Sequence, residues 1–302
     1  MFAVKSSKKF LSVDILYLFL MLSGFAAGIA IKVLFTPQSD DIDISGALVF
    51  FTLKLPYRDF PVTETQLNSL IVIWSLFWLC RYLSHGISVR GGLKRQLVAE
   101  WIVEKTKSLT TGNMGEYFAG FAPFVAAIMG LSAFSSLLTL IGLYPPTSDI
   151  NTFGGWAILV FFLITYYKFK CGPVHYLKSF GDPVPFLAPL NIISEFATPV
   201  SMAFRHYGNV LSGSVISVLV ATALGGASNI IFGNLPGLLG KIPFLQIGLP
   251  AVLSVYFDLF SGLLQAFIFA MLTMLYVSGA FPAEEYARRK AERLKKRAEK
   301  NG

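Results

Sequence analysis

The residue pattern predicts an all-α polytopic membrane protein with about six membrane crossings. Two of these are long, tilted C-terminal helices, and one further amphipathic helix lies in the interface. Two observations carry the prediction. Only 14% of the 302 residues are charged and 54% are hydrophobic, whereas soluble domains carry about a quarter charged residues. Apolar runs at roughly 11–35, 66–84, 118–143, 154–170, 187–233 and 245–281 reach the ~17 to 25 residues that a helix needs to cross the hydrocarbon layer. Runs of the length of the last two must be kinked, strongly tilted or hairpinned.

Charge placement orients the crossings. Lys and Arg cluster at Lys5, Lys8 and Lys9, from Arg81 to Lys107, at Lys168, Lys170 and Lys178, and from Arg288 to Lys300. The intervening loops hold Lys54, Arg58 and Lys241. By the positive-inside rule this alternation predicts six crossings with both termini cytoplasmic. The net charge of +8 is thereby explained by topology, and nucleic acid is not expected as a partner.

The elements follow in order. The first run, after "KSSKKF", ends in the small residues of "GFAAGIA". A cleaved signal peptide has such an ending, but the run's length favours a retained anchor. Residues 36–65 form an outside segment, with "FFTLKLPYRDF" read as short extended or irregular structure. After the second run, Leu97, Trp101 and Ile102 share one helical face, as in a helix lying along the cytoplasmic interface. The tail "AEEYARRKAERLKKRAEK" is expected to be a solvated helix that touches anionic lipid or a partner.

Enzyme signatures are absent from the sequence. "GNLPGLLGKI" lacks both the first glycine and the hydroxyl residue of a P-loop. His85, His175 and His206 have no neighbouring carboxylate or thiolate at metal-ligand spacing, so neither metal nor cofactor is expected. Cys80 and Cys171 do not make a disulfide framework.

What remains is polar chemistry inside the last two runs, where a charge costs about 3 kcal/mol on insertion scales. Glu195, Thr198, Ser201, Arg205, Asn209 and Ser212 recur every three or four residues and share one helix face. Asp258, Ser261, Gln265 and Tyr276 do the same on the second run. Glu195 precedes Arg205 by ten residues, which puts it about 15 Å toward the cytoplasm. Asp258 falls about 10 Å to the outer side of Gln265. Two carboxylates flank one arginine, as two ion-access routes separated by a positive barrier require. His206 points off this face and is assigned to the core.

Three strings resemble the a subunit of F-type ATP synthases: "PLNIISEFATPVSMAFRHYGNVLSG", "LFSGLLQAFIFAMLTMLYVS" and "YPPTSDINTFGGWAILVFFLITYYKFK". The resemblance implies a non-catalytic stator subunit of bacterial plasma membrane, whose partners are a c-subunit ring, peripheral-stalk b subunits, the remaining synthase subunits and lipid. Ions would reach and leave the ring by two half-channels separated by Arg205, with coupling to ATP synthesis. The resemblance also matches Asn209 and Gln265 to polar residues around that arginine. Some members carry a carboxylate where this chain has Ser214 and a histidine where it has Asp258, so the acidic group has moved to the facing helix, with Ser261 beside it. The match runs over 65–281. It leaves 1–64 as an additional membrane helix with its outside segment, and 282–302 as a basic tail. The alternative is a stand-alone secondary transporter, which would carry paired interrupted segments in two halves; none is visible. Whether the ion is H⁺ or Na⁺ depends on ring residues outside this chain.

Overall fold

The apolar runs fold as helices, and their ends are set by local chemistry. The computed structural model describes residues 8–35, 47–54, 56, 59–88, 94–170, 184–232 and 255–281, with single positions or short pieces at 172, 176, 180–181, 245, 252, 286–288 and 291. The elements are α1 (Lys8–Phe35), β1 (Val49–Leu53), β2 (Phe60–Thr63), α2 (Glu64–Ser84), α3 (Lys94–Met114), α4 (Ala122–Leu140), α5 (Ile150–Lys170), α6 (Ala188–Phe232) and α7 (Ser261–Gly279). A π-helical turn, Val255–Phe260, leads into α7. Among the described residues, six helices are long and apolar enough to span a membrane and one two-stranded hairpin is present; the chain is an all-α polytopic membrane protein.

α2 and α5 start a few residues earlier than hydropathy alone places them, because polar residues serve as caps. The Gln66 side chain accepts the Thr63 N–H at 3.3 Å, which lets α2 begin at Glu64. Asp149 Oδ1 accepts the Asn151 N–H at 2.9 Å and opens α5 at Ile150, satisfying donors that the first helical turn leaves free. Conversely, the 118–143 run does not start as α-helix. A 3₁₀ turn, Glu116–Phe121, precedes α4, after Gly115 adopts a φ of 85° that favours glycine.

Between α1 and α2 the segment "VFFTL" pairs antiparallel with "FPVT", so the expected extended structure is a β-hairpin. The last two runs behave differently from each other. Residues 188–232 form a single helix of 45 residues with Pro199 inside it. At 1.5 Å per residue it is about 67 Å long, more than twice the hydrocarbon thickness, so it does not fit as a simple upright span. The first part of the 245–281 run, and most of the basic tail, lie outside the described residues.

Contacts between ends give the order of crossings. α1 and α2 are antiparallel: Gly24 lies against Ser75, Gly28 against Ile71, and the Trp74 indole N–H donates to the Leu20 carbonyl at 2.9 Å. Lys168 near the end of α5 meets Glu195 in the second turn of α6. Phe281, just beyond α7, stacks on Tyr117 before α4 with ring centroids 4.6 Å apart. One face of the bundle, the terminal face, therefore holds the start of α1 and the end of α7. The other, the hairpin face, holds the β-hairpin and the turn at 141–149. The main core joins α3 to α7 through Met114, Val125, Val160, Met202, Phe269 and Met274.

α3 buries Arg95, Gln96, Thr110 and Met114 and turns Leu97, Trp101 and Ile102 outward at 63%, 59% and 39% exposure. That two-sidedness agrees with a helix lying along the terminal face instead of crossing.

Candidate functional site

The polar stripe of α6 is sorted by the packing of that helix. Met202, Ala203 and His206 are buried: Ala203 joins Phe153 and Ala157 of α5, and His206 stacks on Phe153 with ring centroids 3.7 Å apart. His206 is 2% exposed, so its assignment to the core holds. Because successive residues on a helix are turned by about 100°, burying 202, 203 and 206 rotates Ser201, Arg205, Asn209 and Ser212 out of the chain. All four are exposed.

Their neighbours on the same surface are apolar: Val200 is 50% exposed, Phe204 59% and Leu211 42%. A guanidinium thus stands in a stripe of small polar groups on an otherwise lipid-like surface. Among the described residues Arg205 has no ion pair. A charge there is costly against hydrocarbon, so the stripe is built to meet water or a polar partner.

Glu195 is placed apart from Arg205. Its side chain is 5% exposed, and Oε1 lies 3.1 Å from Lys168 Nζ and accepts the Tyr176 O–H at 3.2 Å. Its other oxygen, Oε2, is buried with no partner among the described residues. Tyr176 is pushed up to about 12, first by burial and then by the Glu195 charge and hydrogen bond; it keeps its proton and remains a donor. The expected terminal-side carboxylate is therefore tied to α5 and to the segment that follows it.

On α7, Gln265 is 5% exposed and Ser261 half-buried. Gln265 sits on the face that packs into the bundle, along with Gly262, Phe269 and Thr273. Asp258 lies in the π-helical turn, a local geometry common at functional sites. The side chains of Asp258 and Ser214 lie outside the described residues.

Sequence reasoning missed the polarity of α4. Ser132, Ser135 and Ser136 are at most 4% exposed and divide between two neighbours. Ser136 meets α7 so closely that a Cβ on Gly262 would fall 2.3 Å from its Oγ. Ser135 Oγ donates to Thr147 Oγ1 at 3.0 Å at the edge of a cavity of about 90 Å³, lined among others by Ser69, Leu131, Thr152 and Trp156. "LSAFSS" carried the signal, since serines at steps of three and four are unusual within an apolar run.

Comparison with known proteins places these features in a family. The model of the ATP synthase A chain matches residues 65–278. The chain is 34% identical over 198 residues to ATP synthase subunit a of Bacillus pumilus, covering 61% of this chain and 78% of the relative. It is 29% identical over 244 residues to the sodium ion specific ATP synthase subunit a of Propionigenium modestum, covering 75% and 77%. It is also 29% identical over 243 residues to ATP synthase subunit a of Trichlorobacter lovleyi, covering 77% and 95%. With the family model spanning well over half of its 302 residues, this chain belongs to the ATP synthase A chain family.

Proposed function

We propose that the chain is the non-catalytic, ion-translocating stator subunit of a rotary F-type ATP synthase, and that the outward stripe of α6 is where it meets the c-subunit ring. The observation that carries this reading is the exposure of Ser201, Arg205, Asn209 and Ser212 on a helix whose opposite side is packed against Phe153 and Phe269. A ring carboxylate brought to Arg205 by rotation is drawn into its ionised form, because a nearby positive charge favours the anion. The same charge repels a cation that attempts to pass directly between the two sides.

In this reading the terminal face is cytoplasmic and the hairpin face is outside, following the distribution of Lys and Arg. The inner half-channel runs toward Glu195. The outer one runs past Asp258, Ser261 and Gln265, with Ser214 on the facing helix. Asn209, one turn beyond Arg205, lines the crossing point. The b subunits of the peripheral stalk hold the chain still while the ring turns in the bacterial plasma membrane. Selection between H⁺ and Na⁺ is assigned to the ring.

Arg205→Ala in the reconstituted synthase tests this. ATP-driven ion pumping and gradient-driven ATP synthesis are expected to be lost while the complex still assembles; coupled pumping retained by the variant would overturn the role.

A further inference from the structure

The family match begins at residue 65, so α1 lies outside it, yet α1 is bound to the bundle at both ends. At the terminal face Asp14 pairs with Arg95 and lies 3.2 Å from His85 Nδ1. At the hairpin face Lys32 Nζ lies 3.4 Å from Glu64 Oε1, a side chain only 3% exposed. Asp14 and Lys32 are 18 residues apart in sequence, or about 27 Å along the helix, so the two pairs sit at opposite ends of one crossing.

The hairpin-side pair reaches further than α1. Lys32 Nζ also donates to the Gly142 carbonyl at 2.7 Å. Glu64 Oε1 also accepts the Tyr144 N–H at 3.1 Å, and Asn68 Nδ2 donates to the Tyr144 carbonyl at 2.7 Å. Side chains of α1 and α2 thus hold three backbone groups of the turn that follows α4. That turn leads directly to Pro146 and Thr147, which form one wall of the 90 Å³ cavity, while Ser69 of α2 contributes to another. The Thr147 N–H donates to Ser135 Oγ at 3.1 Å, and Ser136, next in sequence, touches Gly262 of α7, three residues before Gln265. The cavity has hydroxyl groups and room for a few water molecules, the two conditions for hydration.

We propose that α1 is a positioning element for the outer ion path: Lys32 holds Glu64 and the 142–147 turn so that the cavity behind Thr147 serves as a hydrated entrance to that path. This rests on the stator reading above. Glu64 without Lys32 would be a buried carboxylate lacking its cation; the turn would lose its Lys32 anchor at Gly142, and its Glu64 anchor at Tyr144 as well once that carboxylate turned away to be solvated.

The test uses the whole synthase in proteoliposomes. Gradient-driven ATP synthesis is measured over a series of proton concentrations, and separately of sodium concentrations, on the hairpin side. Lys32→Gln is expected to raise the ion concentration for half-maximal rate about two- to fivefold, the range of a partly exposed ion pair, with little change in maximal rate; Lys32→Arg is expected to restore it. An unchanged half-saturation, or a loss of maximal rate alone that Arg does not rescue, overturns the proposal. A second readout needs no turnover. In a background without Cys80 and Cys171, Thr147→Cys is expected to react with a membrane-impermeant thiol reagent from the hairpin side, and several-fold more slowly once Lys32→Gln is added. No reaction in either background overturns it as well. If Arg205→Ala abolishes coupling while Lys32→Gln changes neither readout, this inference fails and the stator reading stands.

Discussion

Arg205 and His206 are adjacent in sequence and lie on opposite sides of the protein surface: His206 is 2% exposed and stacked on Phe153, while Arg205 is exposed. The burial of one determines the direction of the other. The histidine therefore acts through packing, and the arginine is presented outward to whatever meets the chain.

His206→Leu tests that division. Both ring nitrogens are buried without a partner among the described residues, a cost that an apolar side chain of similar size does not carry. The variant is expected to assemble with thermal stability within about 1.5 kcal/mol of wild type and to pump normally. Lost pumping in an assembled complex would place His206 in the ion path.

Gly262→Ala addresses the contact between α4 and α7. A methyl group there would lie 2.3 Å from Ser136 Oγ, so overpacking is expected to cost about 1 to 3 kcal/mol. Among the described residues Ser136 Oγ donates within its own helix, to the Ser132 carbonyl at 3.1 Å, so its loss should be mild. Thermal unfolding in detergent of Gly262→Ala, Ser136→Ala and the double variant should show recovery in the double. Purely additive losses would mean that the helices separate instead of meeting here.

Tyr176→Phe removes the donor to Glu195 and is expected to cost about 1 kcal/mol. The phenol is pushed from 10.0 up to about 12, so its contribution is complete below pH 10 and declines as pH rises toward 12. The difference in thermal stability between wild type and variant should be constant up to pH 10 and shrink above it. A difference that disappears below pH 9 would show that Tyr176 is not protonated in the way its contact with Glu195 requires.

Much of this architecture was legible in the sequence because hydrocarbon imposes simple rules. Apolar length located the crossings, and the exposed α3 face of Leu97 and Trp101 followed from periodicity. Arg205 stood out since a charge inside an apolar run is costly, and the steps from Ser201 to Ser212 placed it in a stripe. What periodicity could not supply was whether that stripe faces into the bundle or out of it, because the rest of α6 is apolar on every side and only the tertiary contacts of Met202, Ala203 and His206 decide it. Nor did it show that Glu195, on the same nominal face, would be claimed by Lys168 from a helix that precedes it by a long loop. The Lys32–Glu64 pair was equally hidden, since it joins residues 32 apart through antiparallel packing.

The central claim is that the exposed stripe, and not the buried side of α6, meets the ring. Single cysteines at Ser201, Asn209, Ser212 and Ala203, made without Cys80 and Cys171, can be oxidised against a cysteine beside the ring carboxylate in the assembled synthase. Disulfide cross-links to the ring from positions 201, 209 and 212, with none from 203, are the predicted result. Cross-linking from Ala203, with none from the other three, would contradict the account.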